Sequence, residues 1–142
     1  MISDNWSREN LAYLAGLLEG EGSFIFNSKQ RLIVQAQMTD EDAIQKLADL
    51  SGMGRCNGPY VNKHLTMNGN LRKKSWLWQV EGERAYALMV ALYPWMCKRR
   101  KEKILQAISD WIAYRRLADG SARRDSNGRF LKIGSQLLPD ER

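Results

Sequence analysis

Between residues 31 and 38 the chain alternates one for one, with Leu32, Val34, Ala36 and Met38 on one side and Arg31, Ile33, Gln35 and Gln37 on the other. A period of two predicts a strand with one buried and one wet face. Residues 23–27 predict a shorter strand before it. The polar residues 27–30 predict the turn that joins the two into a hairpin. Helical patterns flank this unit. Ser7 is a candidate N-cap for a helix over 8–20 that Glu21 and Gly22 interrupt. Thr39, Asp40, Glu41 and Asp42 start a second helix, with acids in the first turn where the helix dipole favours them. Its inner stripe is Ala43, Ile44, Leu47 and Leu50, and Ser51-Gly52 ends it.

Residues 55–61 and 75–80 predict two further strands, with Trp76, Trp78 and Val80 on the core face and a polar loop, 62–74, between the strands. A third helix, 83–93, runs to Pro94. A fourth, 98–116, points Ile104, Leu105, Ile108, Trp111 and Ile112 inward. The order helix, strand, strand, helix, strand, strand, helix, helix predicts an α+β domain, an antiparallel sheet with helices on one face. The opposite face is left with Ile25, Asn27, Lys29, Arg31, Gln35 and Gln37, a polar and basic surface suited to a DNA groove.

At 142 residues the chain has room for one domain and its core, taken here as 1–117. A polar, glycine-containing extension over 118–142 is expected to contact DNA or to stay partly disordered. No apolar run approaches the roughly 20 residues of a membrane span, and the polar N-terminus does not read as a secretory signal. An intracellular protein without a membrane partner is expected. Cys56 and Cys97 have no metal-site spacing and read as reduced thiols. A single histidine, His64, argues against a Ser-His-Asp triad and a multi-histidine metal site. Hydrolytic chemistry would rest on carboxylates, lysines, arginines and water.

The net charge of +6 is unevenly placed. Residues 98–132 hold eleven Lys and Arg against four acids, a local +7 that leaves the rest of the chain at −1. Concentrated positive charge is the footprint of a polyanion, most often nucleic acid.

The informative segment is 14–24, LAGLLEGEGSF. Ala12, Gly16 and Gly20 recur every four residues and put tiny side chains on one helix face, where a second helix can approach closely. Glu19 and Glu21 sit at the end of that helix, where the dipole is negative and carbonyls are free. Carboxylate, backbone carbonyl and water together suit Mg²⁺. If the partner helix came from a second chain, a two-fold axis would bring two Glu21 side chains together. Two carboxylates with bridging metals can stabilise both oxygens of a phosphodiester displacement.

Residues 14–22 resemble the signature of the LAGLIDADG homing endonucleases. Leu14, Ala15, Gly16, Leu17 and Gly22 match, Leu18 stands for Ile, Gly20 for Ala, and Glu19 and Glu21 for the two Asp. Ser23-Phe24 and the helix start after Met38 are also similar to that family, and the element order matches its αββαββα fold over about 8–115. The resemblance implies a homodimer, since the chain has one motif. It implies a long, near-palindromic double-stranded DNA site, cut with Mg²⁺ or Mn²⁺, which Ca²⁺ occupies without supporting cleavage. Glu21 is the implied catalytic metal ligand, with Gly20 beside it, and Glu19 is the more structural acid. Asp40, or else Gln37, falls where members carry a polar residue that serves the active-site water. Arg99, with Lys98 and Lys101 as neighbours, falls at the place of a phosphate-facing basic residue.

Asn27, Lys29, Arg31, Gln35 and Gln37 are candidate base readers, because Arg suits guanine and Gln or Asn suits adenine. Arg55, Asn57 and Tyr60 extend that surface, with Arg72 and Lys74 in the loop and Arg123, Arg124 and Arg129 in the tail. Ala12, Gly16 and Gly20 are the candidate dimer interface. Two alternatives share the binding features: a regulator of the same fold that binds without cutting, and an RNA maturase. An intein is disfavoured, because no splicing Cys or terminal Asn flanks the motif.

Overall fold

The computed structural model describes residues 6–61, 69 and 73–118. The element order is α1 (Arg8–Glu21), β1 (Gly22–Phe26), β2 (Leu32–Met38), α2 (Glu41–Ser51), β3 (Arg55–Tyr60), β4 (Ser75–Glu81), α3 (Glu83–Leu92), a 3₁₀ turn (Tyr93–Trp95) and α4 (Lys98–Ala118). The strands form one antiparallel sheet in the order β1-β2-β4-β3. The α+β expectation therefore holds, with the apolar strands β2 and β4 central and the wholly exposed β3 at an edge.

Each helix start follows from its local chemistry. The Ser7 hydroxyl accepts the Asn10 N–H at 3.1 Å. The Asp40 carboxylate accepts the N–H groups of Asp42 and Ala43 at 3.0 and 3.3 Å. Both satisfy donors that a helix leaves orphaned. Just before α1, the buried Trp6 indole donates to the Ser51 carbonyl at 2.8 Å, joining the start of the chain to the end of α2.

The core lies between the inner sheet face and the helices. Phe24, Leu32, Val34, Ala36, Trp78 and Val80 meet Leu14 and Leu18 of α1, Ile44 and Leu47 of α2, Leu88 and Met89 of α3, and Ile104, Ile108 and Trp111 of α4. Trp76 and Met38 are half-buried against this cluster.

Two elements depart from the reading of the pattern. Pro94 does not cap α3 directly; the helix ends at Leu92 and Pro94 sits inside the 3₁₀ turn, whose start tolerates its missing N–H. On the outer sheet face Ile33 is buried, outside the core cluster, between Ile25 and Glu81 in the strand register. The wet face thus has an apolar patch that a period of two in one strand cannot reveal. Among the described residues no helix is long and apolar enough to cross a membrane.

Candidate active site and nucleic-acid interface

Glu21 is the last residue of α1, and the chain turns straight into β1 at Gly22. Gly22 has no room for a side chain: a Cβ there would lie 2.7 Å from the Leu18 carbonyl oxygen and 2.9 Å from its side chain. The Gly22 N–H donates back to that carbonyl. This tight exit leaves the Glu21 side chain exposed, without a hydrogen bond or ion pair among the described residues. Glu21, Gln37, Met38, Thr39, Asp40 and Ser75 line one recess. The implied metal ligand and both implied water-orienting candidates therefore share a single concavity. Asp40 is also the α2 cap, so one of its oxygens is engaged by the backbone. Gln37 is exposed and donates to the Ser75 hydroxyl at 2.8 Å.

Glu19 has a different part. Its carboxylate accepts the Cys97 N–H at 2.7 Å and lies 3.7 Å from the Arg100 Nε. The same Nε donates to the Glu19 carbonyl at 3.0 Å. Helix α4 opens with Lys98, Arg99, Arg100 and Lys101, positive charge at the end where the dipole is already positive. Glu19 supplies the negative charge that this helix start lacks in its own sequence. Lys98 and Arg99 are exposed, with no partner among the described residues. Lys101 lies with its ammonium 5.3 Å from the centre of the Tyr93 ring. Arg100, not among the residues expected at the site, falls on the stripe 100, 104, 108, 111 that α4 turns toward the fold, and helical spacing is the signal for it.

The outer face of the sheet carries most of the candidate base readers. Ser23 pairs with Gln35, Gln35 with Gln79, and Gln79 with Arg55, so one row crosses all four strands. A second row holds Gln37, Leu77 and Asn57. The Gln79 amide donates to the Gln35 carbonyl oxygen at 3.3 Å. Arg31 and Arg55 both approach Glu81, at 3.3 and 3.6 Å. Ser75, Gln79 and Glu81 are not marked by the sequence pattern, because only the pairing of β4 with β2 and β3 brings them to this face. Lys29 and Tyr60 are exposed beside it, as is Lys74. Asn27 is committed elsewhere: its side-chain oxygen accepts the N–H groups of Lys29 and Arg31 and holds the hairpin turn, with Gln30 left-handed at φ 66°. Arg72, His64, Arg123, Arg124 and Arg129 lie outside the described residues.

On α1, Ala12, Gly16 and Gly20 face outward and are exposed. A Cβ added at Gly16 or Gly20 would meet nothing within 4 Å among the described residues. Tyr13 is exposed on the same helix, with the Lys46 ammonium 4.3 Å from its ring centre. The thiols are free: Cys97 is exposed at the α4 start, and Cys56 donates weakly to the Ile44 carbonyl at 3.7 Å. Burial, and then the Asp49 carboxylate, push the Cys56 thiol up from its ordinary value. No three His, Cys, Asp or Glu side chains gather to hold a metal within one copy, among the described residues. The oxygen donors at the end of α1 are of the hard type that Mg²⁺ takes, but one copy offers a single free motif carboxylate.

No family model matches the sequence. No curated protein matches it either. Among solved structures, the chain is similar to the homing endonuclease I-CvuI bound to the I-CreI target in the presence of 2 mM Mg, with the DNA not cleaved. The TM-score is 0.50 and the identity 16%, over 80% of this chain and 71% of that one. A second structure of I-CvuI, with its own target and 2 mM Ca, gives a TM-score of 0.47 and 14% identity over 78% and 68% of the two chains. At 16% identity the first likeness is one of fold, and the fold of this chain is that of a homing endonuclease.

Proposed function

We propose that this chain is a site-specific double-strand DNA endonuclease that works as an intracellular homodimer on a long, near-palindromic site. The observation that carries this reading is Glu21: an exposed carboxylate, unengaged among the described residues, at the tight exit of α1, in one recess with Gln37 and Asp40. A pure binder has no use for a free carboxylate beside phosphates, which it repels.

Glu21 and the Gly20 carbonyl would hold the divalent ion. When bound, Mg²⁺ or Mn²⁺ supplies charge for the phosphodiester oxygens and acidifies a water. Asp40 or Gln37, on the rim of the recess, would orient the attacking water. Lys98 and Arg99, at the start of α4, offset charge on the phosphate, aided by the helix N-terminus. Lys101 adds to the same field. Arg31, Gln35, Gln37, Arg55 and Asn57 read base edges, while Lys29 and Lys74 meet backbone phosphates. Since one copy brings one such carboxylate, the second strand needs a second copy, and the open stripe of Ala12, Gly16 and Gly20 is where the copies would meet.

The test is cleavage of a randomised duplex library with Mg²⁺, against EDTA and Glu21→Gln. Metal-dependent cutting at one near-palindromic sequence is expected, and Glu21→Gln should bind the same sequence while cutting at least about a hundredfold more slowly. Binding should weaken steeply with salt as counterions return to the phosphates. Enrichment without cutting would replace the endonuclease with a regulator. Preference for structured RNA over duplex would replace it with a maturase. Cutting retained in Glu21→Gln would remove the metal-ligand assignment.

A further inference from the structure

Glu81 stands out on the outer sheet face. It is the one acidic residue in the four strands. An acid there repels the phosphates that the surrounding lysines and arginines attract, so it weakens indiscriminate binding to any duplex. Yet its two oxygens are divided between two cations. Oε2 lies 3.3 Å from Arg31 Nη1 and Oε1 lies 3.6 Å from Arg55 Nη2. Arg31 comes from the β1–β2 turn and Arg55 from the edge strand β3, so Glu81 joins opposite sides of the sheet surface.

The backbone that carries this carboxylate is well held. The Glu81 side chain is 27% exposed, against 55% for Arg31 and 70% for Arg55. It sits beside Ile33, which is 2% exposed, and the next residue, Gly82, donates its N–H to the Leu32 carbonyl at 2.8 Å. The less exposed anion therefore lies between two long, more exposed cations. Each guanidinium has five N–H donors in a planar fork and shows one terminal nitrogen to Glu81. The remaining donors have no partner among the described residues and are available to a ligand. Guanine, which presents O6 and N7 together in the major groove, is the base that a guanidinium reads with two parallel bonds. Ordering the two side chains in advance lowers the entropy lost on binding.

Exposed ion pairs of this kind add little to folding stability, so stability alone does not explain an acid on this face. Resting on the DNA-binding reading above, we propose that Glu81 is a positioning residue for base readout, holding Arg31 and Arg55 as a preset pair for guanine edges.

The experiment selects bound duplexes from a randomised library, using the full chain as wild type, Glu81→Gln, Arg31→Ala and Arg55→Ala. The wild type is expected to enrich guanine at the positions that Arg31→Ala and Arg55→Ala each relax. Glu81→Gln should relax both sets, by about tenfold in preference at each, with the remaining positions unchanged. Its affinity for random-sequence duplex should rise, and its melting temperature should stay within the error of the wild type. A merely structural acid would move the melting temperature and leave base preference alone. In the free protein, side-chain ¹⁵N spectra should show dispersed Arg31 and Arg55 signals that collapse in Glu81→Gln. Unchanged preferences in Glu81→Gln, relaxation at positions unrelated to the two arginines, or averaged arginine signals in the wild type would each overturn the inference while leaving the DNA-binding reading intact. A wild type that enriches no duplex would overturn that reading, and this inference with it.

Discussion

The two faces of the sheet are built from alternate residues of the same strands and are held together by different physics. On the inner face Phe24, Leu32, Val34, Ala36, Trp78 and Val80 are each at most 2% exposed, packed against all four helices. On the outer face Gln35, Gln37, Ser75, Gln79, Arg31, Arg55 and Glu81 are half-buried or exposed and are tied to one another in two pairs and a triad. The inner face gains from removing apolar surface from water, which is non-directional and strong. The outer face gains little from its polar pairs, because each is made at the expense of hydration. What it acquires is order: side chains with functional groups in set places, beside a recess with a free carboxylate. One face supplies rigidity and the other can then afford to be polar.

Substitutions should separate the two faces sharply. Trp78→Ala removes the largest fully buried side chain and its hydrogen bond to the Met53 carbonyl, and chemical denaturation should show a loss of about 3–5 kcal/mol. Next to that, Gln35→Ala with Gln79→Ala breaks the amide pair in the middle of the outer face. Stability should move by no more than about 0.5 kcal/mol, while enrichment from a duplex library should change at the bases this row meets. If instead the pair unfolds the protein and leaves selection untouched, the division between faces is wrong.

The smallest effect belongs to the edge between them. The Cys56 thiol lies on the inner side of β3 and is pushed up by burial and by Asp49, so its protonated form is favoured in the folded chain. The unfolded chain gives up that proton first as pH rises. The thiol's contribution is therefore whole below the ordinary thiol range and drains as pH climbs from there through the raised folded value. Alkylation by iodoacetamide should show Cys56 needing a higher pH than an unfolded thiol to reach half its maximal rate. A Cys56 that matches the unfolded thiol would mean that α2 does not cover this edge.

The sequence by itself determined the elements and the chemistry at their ends. Alternation in 31–38 specified a strand, Ser7 and Asp40 specified helix starts, and the segment 14–22 specified a carboxylate at a helix exit. These are local matters, decided by backbone periodicity and by side chains that bond within four residues. Only the tertiary structure decided what those pieces face. It assigned Glu19 to the start of α4, seventy-eight residues away, and left Glu21 without a partner among the described residues. It placed Arg100, rather than Arg99, against the end of α1. It turned Asn27 into a turn-holder and brought Glu81 between two arginines from separate strands and turns. Such partners depend on strand order and register, and a chain can fix its own period without revealing which neighbour it will lie beside.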